Sequence, residues 1–236
     1  MSGRLHVERR GDGPGVVFTH GLADSSLTWS AQLSALADEH TVVAWDMRGH
    51  GRSDPPVGPY RRDDALEDLT AVAAMAGHPV TLVGHSLGGY LSLLFALRHP
   101  ERVAGLVVVS AGPGFRNPAR RARYNRLLRG VAQRHGLPPD TAAVAYQDDA
   151  WVIERLPSLA CPLLAIVGSR DDAFYHDGSR YIAEHVAGAK LLVVSVAGHP
   201  VHSDEPARVN AALRAFLAEV HGALGEERGV GIASDP

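Results

Sequence analysis

The sequence predicts an α/β domain built on a mostly parallel, doubly wound sheet, with a short helical segment inserted between two of its core strands. Three observations predict it. Short β-branched apolar runs alternate with longer helical patterns along most of the 236 residues, the rhythm of successive strand–helix–strand units. Most of those runs are apolar throughout rather than alternating in polarity, as strands covered on both faces should be. The rhythm breaks once, between about 112 and 157, where no strand pattern occurs.

Taken in order, strands are expected at 16–19 (VVFT), 41–45 (TVVAW), 80–83 (VTLV), 103–109 (VAGLVVV), 163–167 (LLAIV) and 190–194 (KLLVV). Helices are expected near 29–37, 62–75, 87–98, 178–186 and 203–220. This divides the chain into a core of 1–111 and 158–220, a helical cap insertion of 112–157, and a flexible tail of 221–236. The closing "EERGVGIASDP" lacks the apolar periodicity of a packed element. Within the insertion, Asn117 followed by Pro118 reads as an N-cap and first helical residue, and Gly136 as a stop. On that helix Tyr124, Leu127, Leu128 and Val131 form an apolar stripe, with Arg123, Arg126 and Arg129 opposite. The stripe suits a cap helix lying over a site. Arg120 projects to the apolar side, and between 112 and 139 there are seven arginines and no acidic residue. Arg120 is therefore a candidate to hold a substrate carboxylate.

Composition narrows the function classes. Apolar residues make up 45% and charged residues 21%, ordinary values for a soluble globular chain. A formal charge of -3 gives no electrostatic reason to expect nucleic acid or an anionic membrane as partner. The apolar run 103–109 is far too short to span a bilayer. "MSGRLHVERR" carries charges where a secretory apolar region would sit, so no signal peptide is expected and the reading is cytoplasmic. Cys161, the single cysteine, lies in "LACPLLAIVG" and reads as a buried core thiol. His199 and His202 form H-x-x-H without a third ligand, and there is no HExxH or Cys cluster, so neither a metal nor a cofactor is expected.

The informative stretch is "TLVGHSLGGYLSLLFAL" at 81–97. A strand ends in Gly84 and a helix starts at about Leu87, which leaves Ser86 on the bend. Glycines two positions either side relieve the crowding of so sharp a turn. The exposed hydroxyl then stands near a helix amino end, where free N–H groups favour developing negative charge. A serine hydroxyl needs a base, and the base an acid to orient it. His199, in "VAGHPVHSDEP", follows the final strand and precedes the last helix. His202 reads as a solvated or capping residue, and the bend should turn His85 away from Ser86. In "AIVGSRDDAF" Asp171 lies just past a strand, with Asp172 beside it as the competing acid.

The chain order Ser86, Asp171, His199 resembles that of the α/β-hydrolase superfamily, in particular its compact esterase and lactonase members with a small cap. The likeness also rests on "THGLADSSLTW" at 19–29, "WDMRGHGRSD" at 45–54, "GHSLGG" at 84–89, "CPLLAIVGSRDD" at 161–172 and "AGHPVHSDEP" at 197–206. It implies a mostly parallel α/β-hydrolase sheet and an oxyanion hole made by the backbone N–H groups of Leu22 and Leu87, with His20 and Gly21 shaping the loop. It implies a structural role for Asp46, Arg48, His50, Gly51 and Ser53. A serine at the elbow departs from the epoxide hydrolases and haloalkane dehalogenases of this fold, which attack through aspartate. The expected activity is hydrolysis of a small carboxylic ester or lactone, a small-molecule substrate. Carbon–carbon hydrolysis of dioxo acids or thioester cleavage are the rival reactions, and a non-catalytic ligand receptor the rival class. Trp29, Phe115, Tyr124, Trp151 and Phe174 are candidate pocket walls beside Arg120. Oligomeric state is not legible.

Overall fold

A computed structural model of the chain describes residues 3–229, with 223–229 described as helix backbone alone. The strands are β1 (Val7–Arg10), β2 (Gly15–Thr19), β3 (Thr41–Trp45), β4 (Val80–His85), β5 (Val103–Val109), β6 (Leu163–Gly168) and β7 (Lys190–Val194). The helices are α1 (Ser30–Leu36), α2 (Arg62–Ala74), α3 (Leu87–Arg98), α4 (Pro118–Arg134), α5 (Pro139–Ala142), α6 (Trp151–Arg155), α7 (Ala173–His185), α8 (Val201–Asp204) and α9 (Pro206–Gly229). The described residues form a seven-stranded sheet in the order β1-β3-β2-β4-β5-β6-β7. Every pairing is parallel except β1 with β3, where Val7 stands opposite Trp45 and Arg10 opposite Val42. This is the doubly wound α/β-hydrolase sheet that the sequence predicts, with α4 to α6 inserted between β5 and β6.

The sheet is covered on both faces, which explains the continuous apolar strands. β2, β3 and β4 are buried at every position. On one face Leu33 and Leu36 of α1 pack with Val209, Leu213 and Leu217 of α9. On the other Leu69 of α2, Leu91 and Phe95 of α3, and Ile182 of α7 form the second core. Each fully buried large apolar side chain contributes about 1.5–3 kcal/mol of transfer free energy, so the two layers fix the sheet and the loops at its carboxyl edge. β2 pairs with both β3 and β4, so the winding direction reverses there. Ligand crevices of open α/β sheets form at such a reversal.

Several element bounds differ from expectation, each for a local reason. β1 (VERR) is a polar edge strand with no apolar run to announce it. β7 is the other edge, with Leu191 38% and Val193 43% exposed. The helix expected from 178 starts at Ala173, because Asp172 caps it by accepting from Phe174 N at 2.8 Å. The helix expected at 203–220 is two pieces. Pro206 cannot continue the hydrogen-bond ladder and holds Glu205 out of helical conformation at φ -131°. After that break α9 runs on to Gly229 instead of ending at 220, through a stretch rich in good helix formers. Of the tail expected at 221–236, residues 230–236 lie outside the described residues. In the cap, Asn117 accepts from the N–H groups of Ala119 and Arg120, as an N-cap should. Leu127 is 60% exposed, so the stripe is not buried along its whole length. Cys161 is partly buried against the second core, and burial pushes its thiol up to about 11. Among the described residues no helix is long and apolar enough to cross a membrane.

Candidate active site

β4 delivers Ser86 to the reversal point of the sheet. Its backbone sits at φ 51°, ψ -112°, a region a side-chain-bearing residue occupies only when the surroundings enforce it. The enforcement is visible. Ser86 N–H donates to Val109 O at 2.9 Å, and Ser86 O accepts from Tyr90 N at 3.1 Å, tying the bend to β5 and to α3. A Cβ on Gly84 would lie 2.3 Å from Gly88 O, and one on Gly88 would lie 2.2 Å from Thr19 O. Those two glycines let α3 leave the strand against the end of β2.

Asp171 and His199 come from the loops after β6 and β7. His199 Nδ1–H lies 3.1 and 3.2 Å from the two carboxylate oxygens of Asp171, whose side chain is 1% exposed. That contact assigns the Nδ1 proton and leaves Nε2 as the basic nitrogen. Asp172 does different work: its N–H donates to Asp171 Oδ1 at 2.8 Å while its own carboxylate caps α7. Geometry thus separates the two competing acids.

The loop carrying His199 is held from behind. His85 Nε2–H donates to His199 O at 3.1 Å, and Asp204 accepts from Gly198 N at 2.7 Å. His85 therefore supports the histidine loop, a contact that its position beside Ser86 did not suggest. Its ring lies 4.7 Å from both His199 and His202. Burial holds the His85 imidazole well below its ordinary value. His202 is fully buried rather than solvated. It stacks on Trp29 at 4.2 Å, its Nε2 pairs with Thr28 Oγ1 at 2.8 Å, and burial pulls it down to about 3. Trp29 is likewise a core residue packed between Phe18 and His202, not a pocket wall.

Leu22 and Leu87 line one small cavity with Ser86. Leu87 is the first residue of α3, where an N–H has no intrahelical acceptor. The loop bearing Leu22 is pinned through His20, whose Nδ1–H donates to Gly21 O at 2.7 Å while Nε2 accepts from Met47 N at 3.0 Å. Burial lowers His20 to about 4, so it stays neutral in this bridge.

The candidate pocket walls divide. Phe115, Tyr124 and Phe174 form an aromatic cluster, with Phe115 and Phe174 stacked at 5.0 Å and Tyr124 4.9 Å from Phe174. Tyr124, Leu128 and Phe174 line the cavity with Ser86. Trp151 stands elsewhere, between Arg98 and Arg155, and lines a separate hollow with Arg62 and Asp149. Arg120 is on the rim of two open hollows of about 370 and 590 Å³ beside the cluster, and Arg123 joins it on the larger one instead of facing away. Tyr90, Gln147 and Tyr175, which also line the cavity with Ser86, were not anticipated. Tyr175 packs its ring 4.1 Å from that of His199 and lines the small cavity with Ser86 and Tyr124. Burial raises the Tyr175 and Tyr124 phenols, which keeps both as neutral donors. An N-cap at Asp172 was the available signal, since it starts α7 early enough to put Phe174 and Tyr175 on the first turn.

Comparison with known proteins bears on the fold that carries these residues. The family model described as alpha/beta hydrolase fold matches residues 14–147. An uncharacterized protein of Mycobacterium tuberculosis is 41% identical over 161 residues, 67% of this chain, and the chain spans 41% of its length. The 2-(acetamidomethylene)succinate hydrolase of Mesorhizobium japonicum is 30% identical over 188 residues, 79% of this chain and 64% of that protein. Among solved structures, the malate-bound thermophilic esterase from Thermogutta terrifontis superposes with a TM-score of 0.78 at 26% identity, covering 93% of this chain and 94% of that one. The family model takes in β2 to β5 with the loop bearing Leu22 and the bend at Ser86, more than half of the residues, and the chain belongs to the alpha/beta hydrolase fold family.

Proposed function

We propose that this hydrolase cleaves small carboxylic esters or lactones through an acyl-enzyme on Ser86. The observation that carries the reading is the 3.1 Å contact of His199 Nδ1 with a buried Asp171, together with a serine held at positive φ on the bend after β4. In the acylation step Ser86 Oγ attacks the substrate carbonyl carbon, and its proton passes to His199 Nε2. Asp171 keeps the imidazole in the tautomer that can accept it and stabilises the imidazolium that forms. The negative charge on the carbonyl oxygen is met by the N–H groups of Leu22 and Leu87. Each such donor is worth about 3 kcal/mol of barrier. The imidazolium returns the proton to the departing alkoxide, and water then repeats the sequence on the acyl-enzyme. The esterase and hydrolase names of the compared proteins support this class of reaction.

A second observation bears on the substrate. Arg120 and Arg123 line the larger hollow together with Asp172 and Asp177, and no acidic side chain forms a salt bridge with either arginine among the described residues. This favours a substrate bearing a carboxylate, in line with the dicarboxylic ligand or substrate that the two compared names carry. It also keeps carbon–carbon hydrolysis of dioxo acids as the second reading, since the same triad serves both. Hydrolysis of p-nitrophenyl esters from acetate to decanoate, with Ser86→Ala alongside, tests the first. Activity present in the parent chain and absent in the variant is the expected outcome. Folded parent protein inert toward every ester would transfer the proposal to dioxo acids. Arg120→Ala should raise KM for an acidic ester and leave neutral esters unchanged.

A further inference from the structure

The cavity that Ser86 faces measures about 20 Å³. A single water needs about 10–15 Å³ of such space, so an ester does not fit as the side chains stand. Immediately beyond lies the hollow of about 590 Å³ along α4, floored by Leu127, Leu128 and Val131. Tyr124, Leu128, Phe174 and Tyr175 line both spaces and are therefore the wall between them. Of these four, Tyr175 is the one whose ring packs against the proposed base, 4.1 Å from that of His199. Phe115, Tyr124 and Phe174 pack as one aromatic cluster, and Tyr175 meets its edge through Phe174 at 4.9 Å. Tyr175 sits on the first turn of α7, half-buried, with the open hollow on its other side.

We infer that Tyr175 is the specificity-determining residue of this site. Its side chain closes the nucleophile cavity against the α4 groove, and a substrate reacts by displacing it and laying the longer arm of the ester in that groove. The inference rests on the proposed catalytic role of Ser86 and names what the reaction is selective for: an ester with an extended arm, its apolar stem against Leu127, Leu128 and Val131 and a carboxylate, where it carries one, toward Arg120 and Arg123. The occupant follows from continuity. The groove lies against the serine cavity across that shared wall, Leu127, Leu128 and Val131 line it beside Arg120, Arg123, Asp172 and Asp177, and Leu127, 60% exposed, has no other cover among the described residues. The ring, not the hydroxyl, is the barrier, because it is ring volume that separates the two spaces.

The test compares the parent chain with Tyr175→Ala, Tyr175→Phe and Leu127→Arg. Rates are read on p-nitrophenyl esters of rising acyl length and on alkyl acetates of rising alcohol length. Reaction of Ser86 with a small phosphonofluoridate, which needs no groove, is measured in parallel. Tyr175→Ala should raise kcat/KM for the longest members of one series relative to the shortest by about tenfold or more, the scale on which pocket walls discriminate chain length. Tyr175→Phe should keep the parent length profile, and Leu127→Arg on the groove floor should penalise long members alone. Unchanged length profiles in Tyr175→Ala, with Ser86 still labelled at the parent rate, would overturn the assignment of Tyr175. Failure of the phosphonofluoridate to label any variant, Tyr175→Ala included, would instead overturn the catalytic reading and this inference with it.

Discussion

Two regions of the molecule carry the same three residue types and have opposite character. The loop after β3 holds Asp46, His50 and Ser53, and the proposed triad holds Asp171, His199 and Ser86. In the first, the Asp46 carboxylate and the Ser53 hydroxyl are taken up by backbone groups, and the one ring nitrogen left without a partner, His50 Nε2, is buried away from any cleft. Asp46 accepts from Ser26 N at 2.6 Å and Arg52 N at 2.8 Å, and Ser53 Oγ donates to Asp46 O at 2.6 Å. His50 donates from Nδ1 to Arg48 O at 3.1 Å, and Arg48 is clamped in two hydrogen bonds to Asp68. A Cβ on Gly51, at φ 52°, would lie 2.3 Å from Asp46 Oδ2, so the loop closes on its own carboxylate. In the second region Asp171 spends its oxygens on an imidazole and one N–H, and His199 keeps a free nitrogen with its side chain 34% exposed. Reactivity in this fold comes from what is left unsatisfied at a cleft, not from residue identity.

The comparison breaks most sharply at Ser86. Ser86→Ala should lower ester turnover on the order of 10⁵-fold or more, the scale seen when a nucleophile acting within a triad is removed. Melting should barely move, because a hydroxyl at a bend contributes little packing. Ser53→Ala is the matched control: stability falls, and turnover per folded molecule stays near that of the parent. Next comes Asp171→Asn, which leaves the shape but lets the imidazole take the wrong tautomer. Its turnover should fall about 10⁴-fold. If Asp171→Asn retained most activity while Asp172→Asn lost it, the separation of the two acids would be reversed.

For the loop after β3 the reverse pattern is expected. Burial works to raise the Asp46 carboxyl, but hydrogen bonds from Ser26 and Arg52 outweigh it and hold it below the usual carboxylate range. Asn at 46 offers one acceptor where two N–H groups arrive, so Asp46→Asn should cost about 1–3 kcal/mol of stability. Denaturant melts check this, and turnover of the surviving folded protein should change little.

Acid exposes the same loop. Burial pulls His20 and His50 to about 4, and nearby His20 adds to the shift at His50. Unfolded, each would take a proton below about 6.5. Their folded values are depressed, so their contribution is complete above pH 6.5 and is lost as pH falls toward 4. Tm should decline across that window, and His50→Asn, whose amide can still donate to Arg48 O, should flatten the decline. A Tm that rises on acidification to pH 4.5 would contradict the assignment of neutral buried imidazoles.

The parts of this molecule that read clearly from sequence are those set by burial and by steric necessity. β2, β3 and β4 are buried at every position and appear as plain apolar runs, and Gly84 and Gly88 announce the bend because no larger residue fits. β1 escaped because an antiparallel edge strand of VERR needs only backbone pairing with β3. β7 was legible as a strand but not as an edge, since exposure depends on what lies beyond it. His202 and Trp29 were misplaced because burial of a histidine 174 residues from its partner Thr28 is a tertiary fact with no local pattern. Tyr175 was missed for a smaller reason. With the helix start placed at 178 instead of 173, the first turn of α7 fell in a loop, and its side chains had no direction.

The smallest effect sharpens that last point and separates the neighbouring acids. Asp172 exposes its carboxylate to solvent and contributes one hydrogen bond, to Phe174 N at 2.8 Å. Asp172→Ala should lose about 1 kcal/mol of stability, the ordinary value of an N-cap. Its N–H to Asp171 Oδ1 is backbone and survives the substitution. The consequence for catalysis is therefore indirect. An uncapped first turn frays, and the residues on it are Phe174 and Tyr175, so Asp172→Ala should widen acceptance of long esters in the sense of Tyr175→Ala, but by a smaller factor. Asp172→Asn or Asp172→Ser, which cap as well, should restore both the stability and the parent length profile. A loss of turnover with acetate as large as that of Asp171→Asn would mean that Asp172 acts on the imidazole directly, in contradiction of the geometry.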